Sequence, residues 1–300
     1  MKKSTKIALI LAVVLILGGG ALFTLASMAA GWNYEALKYE SYEMNKYQYE
    51  EEVQNITLKT DTANVRFYPS SDGELRVECY EHTKAKHTVS VEGDTLSVAL
   101  QDTRKWYDHI GISFQSPEIT IYLPKESYDT LTVRTTTGDT TVNKGLEFQK
   151  IEINQSTGRV RCEASASKRM KVRTSTGEIH LKDGKMGALE LEVSTGDSTL
   201  ENITCKSLES VGSTGDVTLK NTVADEAFSI KRSTGRIRFW DCDAAELFIK
   251  TDTGDVRGTL LTEKIFFTET DTGSVTTPKT MSGGRCEIIT DTGDIYVEIK

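Results

Sequence analysis

One phrase recurs nine times in this 300-residue chain, and its spacing leaves few folds open. Thr-Thr-Gly at 136 is followed by Ser-Thr-Gly at 156, 175, 194, 213 and 233, then by Asp-Thr-Gly at 252, 271 and 291. The glycines, from Gly138 to Gly293, stand 19 or 20 residues apart at every step. A period that constant over nine units is the signature of a repeat architecture. Two and four residues after the glycine the chain places pairs such as Val160 and Cys162, Ile179 and Leu181, Val217 and Leu219, Ile237 and Phe239. A second alternating stretch precedes the next glycine, as in Ile151 with Ile153, Leu189 with Leu191, and Leu247 with Ile249. Alternation with period two means strands with one buried face, so each repeat carries two strands and two turns.

A unit of 19 or 20 residues cannot close a core alone, so its apolar face must be covered by equivalent faces of its neighbours. Stacking the units as coils of a parallel β-solenoid does this, with like residues in ladders about 4.8 Å apart and nine coils forming a rod on the order of 40 Å long. A meander of antiparallel hairpins turning at Thr-Gly competes, but the fixed period and constant turn chemistry favour the solenoid. Right-handed coiling is the default for parallel crossovers. The expected fold is therefore all-β: a parallel, right-handed β-solenoid of about nine coils over 136–300, with an irregular β cap at 53–135. The chain stops at Lys300 after the ninth post-glycine strand, so no separate cap is expected at that end. An apolar content of 38% suits such a rod, in which each coil needs only about four inward residues.

The cap region holds short alternating runs, Ile56-Thr-Leu58, Asn64-Val-Arg-Phe67 and Glu118 to Leu123 among them, separated by turn residues such as Ser70-Ser-Asp-Gly73. Thr60-Asp-Thr-Ala-Asn-Val65 reads as a degenerate copy of the phrase with Ala63 in the glycine position. The longest irregular insertion, 101–116, carries Trp106, Tyr107 and His109 and is the expected side-contact loop.

The other strong signal is at the start. Ile7 to Ala30 is free of charge and long enough to cross the ~30 Å hydrocarbon layer as a helix. Lys2, Lys3 and Lys6 precede it, which places residues 1–6 in the cytoplasm, 7–30 in the membrane, 31–52 as a juxtamembrane linker and the rest outside. A cell-membrane protein with one span and a C-terminal ectodomain is expected. Cleavage near Ser27-Met28-Ala29 would instead give a secreted protein. Outside the first 30 residues the net charge is -11 with no basic cluster, which excludes nucleic acid as a partner.

Candidate chemistry is sparse. Asp-Thr-Gly marks aspartic proteases, but those need two loops facing across a cleft, whereas a solenoid stacks equivalent turns along one edge. A short polar side chain two residues before glycine caps the turn, and the glycine permits positive φ. Calcium is the sharper reading: Asp252, Asp255, Asp271, Asp291 and Asp294 bring carboxylates to the last three turns, where stacked acidic edges can build oxygen cages. Arg159, Arg236 and Ser274 interrupt the column after the glycine to which Asp255 and Asp294 belong, so no resident metal or other cofactor is assigned. His82, His87, His109 and His180 share no ligand spacing with the five cysteines, and no C-x-x-C pair occurs.

Through its tandem Ser-Thr-Gly-Asp-Val phrase, led in by a strand ending Ile-Tyr-Leu-Pro124, the sequence resembles the bacterial putative-adhesin β-repeat family, a domain of unknown function common in Gram-positive bacteria. The likeness covers about 54–300. It implies a β-solenoid ectodomain of a membrane-anchored envelope protein, with no catalytic residues to carry over. The expected function is a non-enzymatic adhesin or envelope scaffold, with cell-wall polymer or an envelope protein as partner. Three readings compete: a calcium-stabilised solenoid, a β-helix acting on polysaccharide, and an envelope sensor working through a membrane partner.

Overall fold

A computed structural model of the chain describes residues 3–29, 42–106 and 115–300. They fall into two units. The first contains helix α1 (Lys3–Ala29), whose segment Thr5–Ala29 has a mean hydropathy of 2.6 and is long and apolar enough to cross a membrane. Its apolar side chains are exposed all round, as a lipid-facing helix requires.

The second unit is a parallel β-solenoid with antiparallel strands at one end. From Ser127 to Leu260 seven coils stack in chain order, each made of a long strand running into the Thr-Gly phrase and a short strand leaving it. The register puts like on like: Thr157 pairs with Thr137 and Thr176, and Leu181 with Cys162 and Leu200. Apolar columns such as Ile151, Met170, Leu189, Leu208, Phe228 and Leu247 fill the interior and are all buried. The two turns of a coil are built differently. At the phrase, Gly215 has φ of 135°, and a Cβ there would fall inside the carbonyl oxygen of Gly196, so this coil has no room for a side chain. At the opposite corner Asp183, Asn202, Asn221 and Asp241 adopt left-handed φ of 47–55°, and the Asn202 amide donates to Asp183 Oδ1 (2.6 Å) as Asn221 does to Asn202 (3.0 Å). Each stands six residues after a phrase glycine, a second readable column that the first obscured.

The cap region continues the stack. Strands β2 (Asn55–Lys59) and β3 (Asn64–Pro69) form a coil that lies on the first phrase coil, with Ala63 N donating to Thr137 O (3.1 Å), so Ala63 does take the glycine column. Strands β6 (Thr95–Asp102) and β7 (Glu118–Leu123) form the coil beyond it. Strand β5 (Ala85–Glu92) then pairs antiparallel with β6, strand β4 (Leu75–His82) antiparallel with β7, and β1 (Tyr42–Tyr49) with β4. Residues 42–49 thus differ from the spacer expected there. Tyr47 and Tyr49 lay their rings against the core and donate their hydroxyls to His87 O (3.3 Å) and Val89 O (2.7 Å).

The other end departs from chain order. The last coil, strands Gly284–Thr292 and Ile295–Ile299, does not lie outermost. It is inserted between the coil ending at Leu260 and the coil of strands Lys264–Thr272 and Val275–Thr276. Two adjacent glycines make the slot: a Cβ on Gly283 would meet Glu263 O on one side, and a Cβ on Gly284 would meet Ala245 O on the other. The nine phrases therefore give eight full coils and one shortened end coil, close to the nine expected.

All five cysteines are buried and unpaired, and burial pushes each thiol up to about 12. Native protein at pH 8 should therefore leave all five unreacted toward a thiol-specific reagent, with five equivalents released on denaturation. A single fast-reacting thiol in the native protein would contradict this packing.

Candidate functional site

The outer surface of the solenoid is not uniform. Where the long strands approach the phrase, a groove of about 800 Å³ runs from Thr135 to Ser233. It crosses six coils, about 24 Å at the ladder spacing. One feature repeats along it: the phrase serines Ser156, Ser175, Ser194, Ser213 and Ser233 line one wall. The other wall carries Asn154, Arg173, Glu190, Glu192 and Glu209. The charges on that wall are tied across coils. Arg173 makes a two-pronged contact with Glu192 (2.6 and 3.0 Å), and Arg169 does the same with Glu190 (2.7 and 2.6 Å), while Lys171 bridges both carboxylates at 3.0 Å. These hydrogen bonds hold the Glu190 and Glu192 carboxyls below the ordinary carboxylate range. Val211 interrupts the polar wall with an exposed apolar side chain.

Beneath the groove floor lies a buried cation. Gly212 has no side chain, and the Arg232 guanidinium occupies that space, with Cζ and Nη1 3.1 Å from where a Cβ would stand. Arg232 donates to Lys231 O (2.8 Å), Ser210 Oγ (3.0 Å) and Ser198 Oγ (3.2 Å). Burial lowers it to about 10, which still leaves it charged at neutral pH. Ser198 and Ser210 take positions that are apolar in most coils, a substitution set that fits one buried arginine. Together these residues offer hydroxyls at a repeating interval, with amides at Asn154 and Gln155 and held charges at Arg173, Glu190 and Glu192. Among the described residues no His, Lys, Cys or Asp lines the groove.

A second polar cluster sits in the capped end. Glu81 Oε2 accepts from His87 Nδ1 and from His87 N, both at 2.6 Å, and Asn45 Nδ2 donates to Glu81 Oε1 (2.8 Å). His87 Nε2 lies 2.8 Å from Thr60 Oγ1. Carboxylate, imidazole and hydroxyl are in the order of a base-activated nucleophile. They are also sealed, with Glu81 0%, His87 3% and Thr60 7% exposed. Their hydrogen bonds instead join β1, β4 and β5 to the start of the solenoid. Cys79 completes the only metal-ligand cluster among the described residues, but its thiol is held protonated by burial and by the Glu81 charge. Alternation along β4 puts Cys79 and Glu81 on one face, a pattern that His/Cys ligand spacing does not reveal.

The acidic edge has a structural use. Asp139 Oδ1 accepts from Arg159 N (2.9 Å), Asp216 from Arg236 N (2.8 Å), Asp255 from Asp294 N (3.0 Å) and Asp294 from Ser274 N (2.9 Å). An aspartate directly after a phrase glycine thus caps a neighbouring coil's backbone, and arginine and serine are tolerated as the receivers. Asp252 faces Lys250 at 3.9 Å. Asp271 and Asp291 are exposed at the phrase edge. Trp106 is exposed, while Tyr107 and His109 lie outside the described residues.

Fold and surface define a parallel β-solenoid with a groove running across its coils. The chain belongs to the Toastrack DUF4097 family, whose model matches residues 53–298. Among solved structures it resembles a putative adhesin from Parabacteroides distasonis ATCC 8503, at 12% identity over 86% of this chain and 98% of that one, with a TM-score of 0.51. It also resembles a putative adhesin from Bacteroides fragilis NCTC 9343, at 16% identity over 87% and 97%, TM-score 0.46. A putative lipid binding protein from Parabacteroides distasonis ATCC 8503 follows, at 12% identity over 85% and 96%, TM-score 0.35. At these identities the likeness is one of fold. No curated protein matches the chain.

Proposed function

We propose that this protein is a membrane-anchored, non-catalytic envelope scaffold whose groove from Thr135 to Ser233 grips an extended, hydroxyl-rich polymer of the cell wall. The groove carries the reading: its phrase hydroxyls recur at every coil from Ser156 to Ser233, so they suit a ligand that is itself a repeating chain, and the Arg173–Glu192 pair fixes charge beside them. Helix α1 supplies the anchor, with Lys2, Lys3 and Lys6 on the cytoplasmic side. The adhesin description of the Parabacteroides structure agrees with a surface-interaction role.

The test is retention on purified cell-wall polymer by the full chain in detergent. Ser194→Trp fills the groove from an exposed position, and Arg173→Glu sets a carboxylate against Glu192. Each should weaken retention about tenfold, the equivalent of about 1.4 kcal/mol, with an unchanged melting temperature for Ser194→Trp. Equal retention of both variants and wild type would remove the groove from the function.

A further inference from the structure

The two ends of the solenoid are finished differently. At the first, β4 and β5 run antiparallel along the outermost coil and close its edges. At the second, the strand Lys264–Thr272 pairs on one side only, with Gly284–Thr292, and nothing among the described residues covers its outer edge. The core is open there as well. Val275 is 43% exposed, whereas Ile295, in the same column one coil inside, is buried. Phe266 and Thr268 are half-exposed, yet their partners Cys286 and Ile288 are fully buried. On the outer face Ile265 and Phe267 are also exposed. A flat, unpaired edge with apolar side chains is a template for another strand.

We propose that this end docks onto the same end of a second copy of the chain, through antiparallel pairing of the two Lys264–Thr272 strands about a two-fold axis. The charge pattern of the strand selects this occupant. Its first half presents Ile265 and Phe267, with the Arg285 guanidinium 4.5 Å above the Phe267 ring. Its second half presents Glu269 and Asp271, which have no ion-pair partner among the described residues. Antiparallel pairing centred near Thr268 sets Glu269 opposite Phe267 of the other copy, beneath Arg285, and Asp271 opposite Ile265. No like charges face one another, and each contact occurs twice, as an isologous interface requires. The free backbone groups of both edges are satisfied, and Val275 and Phe266 gain cover.

Sedimentation of the full chain in detergent tests this. Wild type should be a dimer that dissociates on dilution. Phe267→Glu places two carboxylates opposite one another and should weaken the dimer at least tenfold, as should Glu269→Lys, which sets a cation beneath Arg285. Combining the two should restore dimerisation. Both positions are exposed, and unchanged melting temperatures establish that the variants are folded. A wild type that stays monomeric, one that forms open-ended filaments, or a dimer indifferent to both single substitutions would each overturn the proposal. So would a double variant as weak as the singles.

Discussion

Gly215→Ala is expected to destabilise the protein by about 3–5 kcal/mol, combining backbone strain of roughly 1–3 kcal/mol with overpacking of similar size. The residue has φ of 135°, where an L side chain is strained, and an added Cβ would overlap Gly196 O in the coil beneath. Neither term can relax locally, because Gly215 N also donates to Thr234 O (2.9 Å) in the coil above. The column is continuous through Gly177, Gly196, Gly235 and Gly254, so a shift at one coil propagates to the next. Thermal unfolding would show a large drop in Tm for Gly215→Ala and almost none for Ser213→Ala, an exposed position in the same phrase. Equal melting of the two variants would mean that the glycine column is not under steric constraint.

The second large effect should come from Glu81→Leu, at about 3 kcal/mol or more. Two buried donors, His87 N and His87 Nδ1, would lose their acceptor together, and the half-buried Asn45 Nδ2 would keep only Glu43 Oε1 (3.0 Å). Each buried donor left unsatisfied costs about 1–3 kcal/mol, partly offset by the added apolar contact. Glu78 is the natural control. It lies on the same strand, more exposed, and pairs with Lys46 at 2.9 Å, so Glu78→Gln should cost less than about 1 kcal/mol. Hydrogen exchange distinguishes the mechanisms: Glu81→Leu should deprotect β1 and β5 while the coils from 147 onward stay protected. Uniform deprotection of the whole solenoid would place the loss elsewhere.

The architecture was largely legible in the residues. The phrase glycines, the paired apolar positions and the Thr column each report one coil, because identical units in register must satisfy the same steric and packing conditions nine times. Ala63 in the cap was readable for the same reason. The order of the last two coils was not, since both carry the phrase and either order keeps every column intact; only Gly283-Gly284, wedged between Glu263 and Ala245, shows which lies outside. Residues 42–49 read as a polar spacer because their tyrosines bury rings against a sheet that long-range pairing assembles.

The candidate sites divide along the same line. The phrase serines were visible as a column, but their groove exists only once the coils stack. Glu81 lies on β4, His87 on β5 and Thr60 directly after β2, and their distances depend on an antiparallel hairpin folding back over a parallel coil. The sequence by itself determined a repeat, its period, its buried faces and an apolar helix, because those follow from local sterics and alternation. Tertiary structure decided which coil is last, which edge is left open, and where one buried arginine finds room, because those depend on contacts between residues that the period makes equivalent.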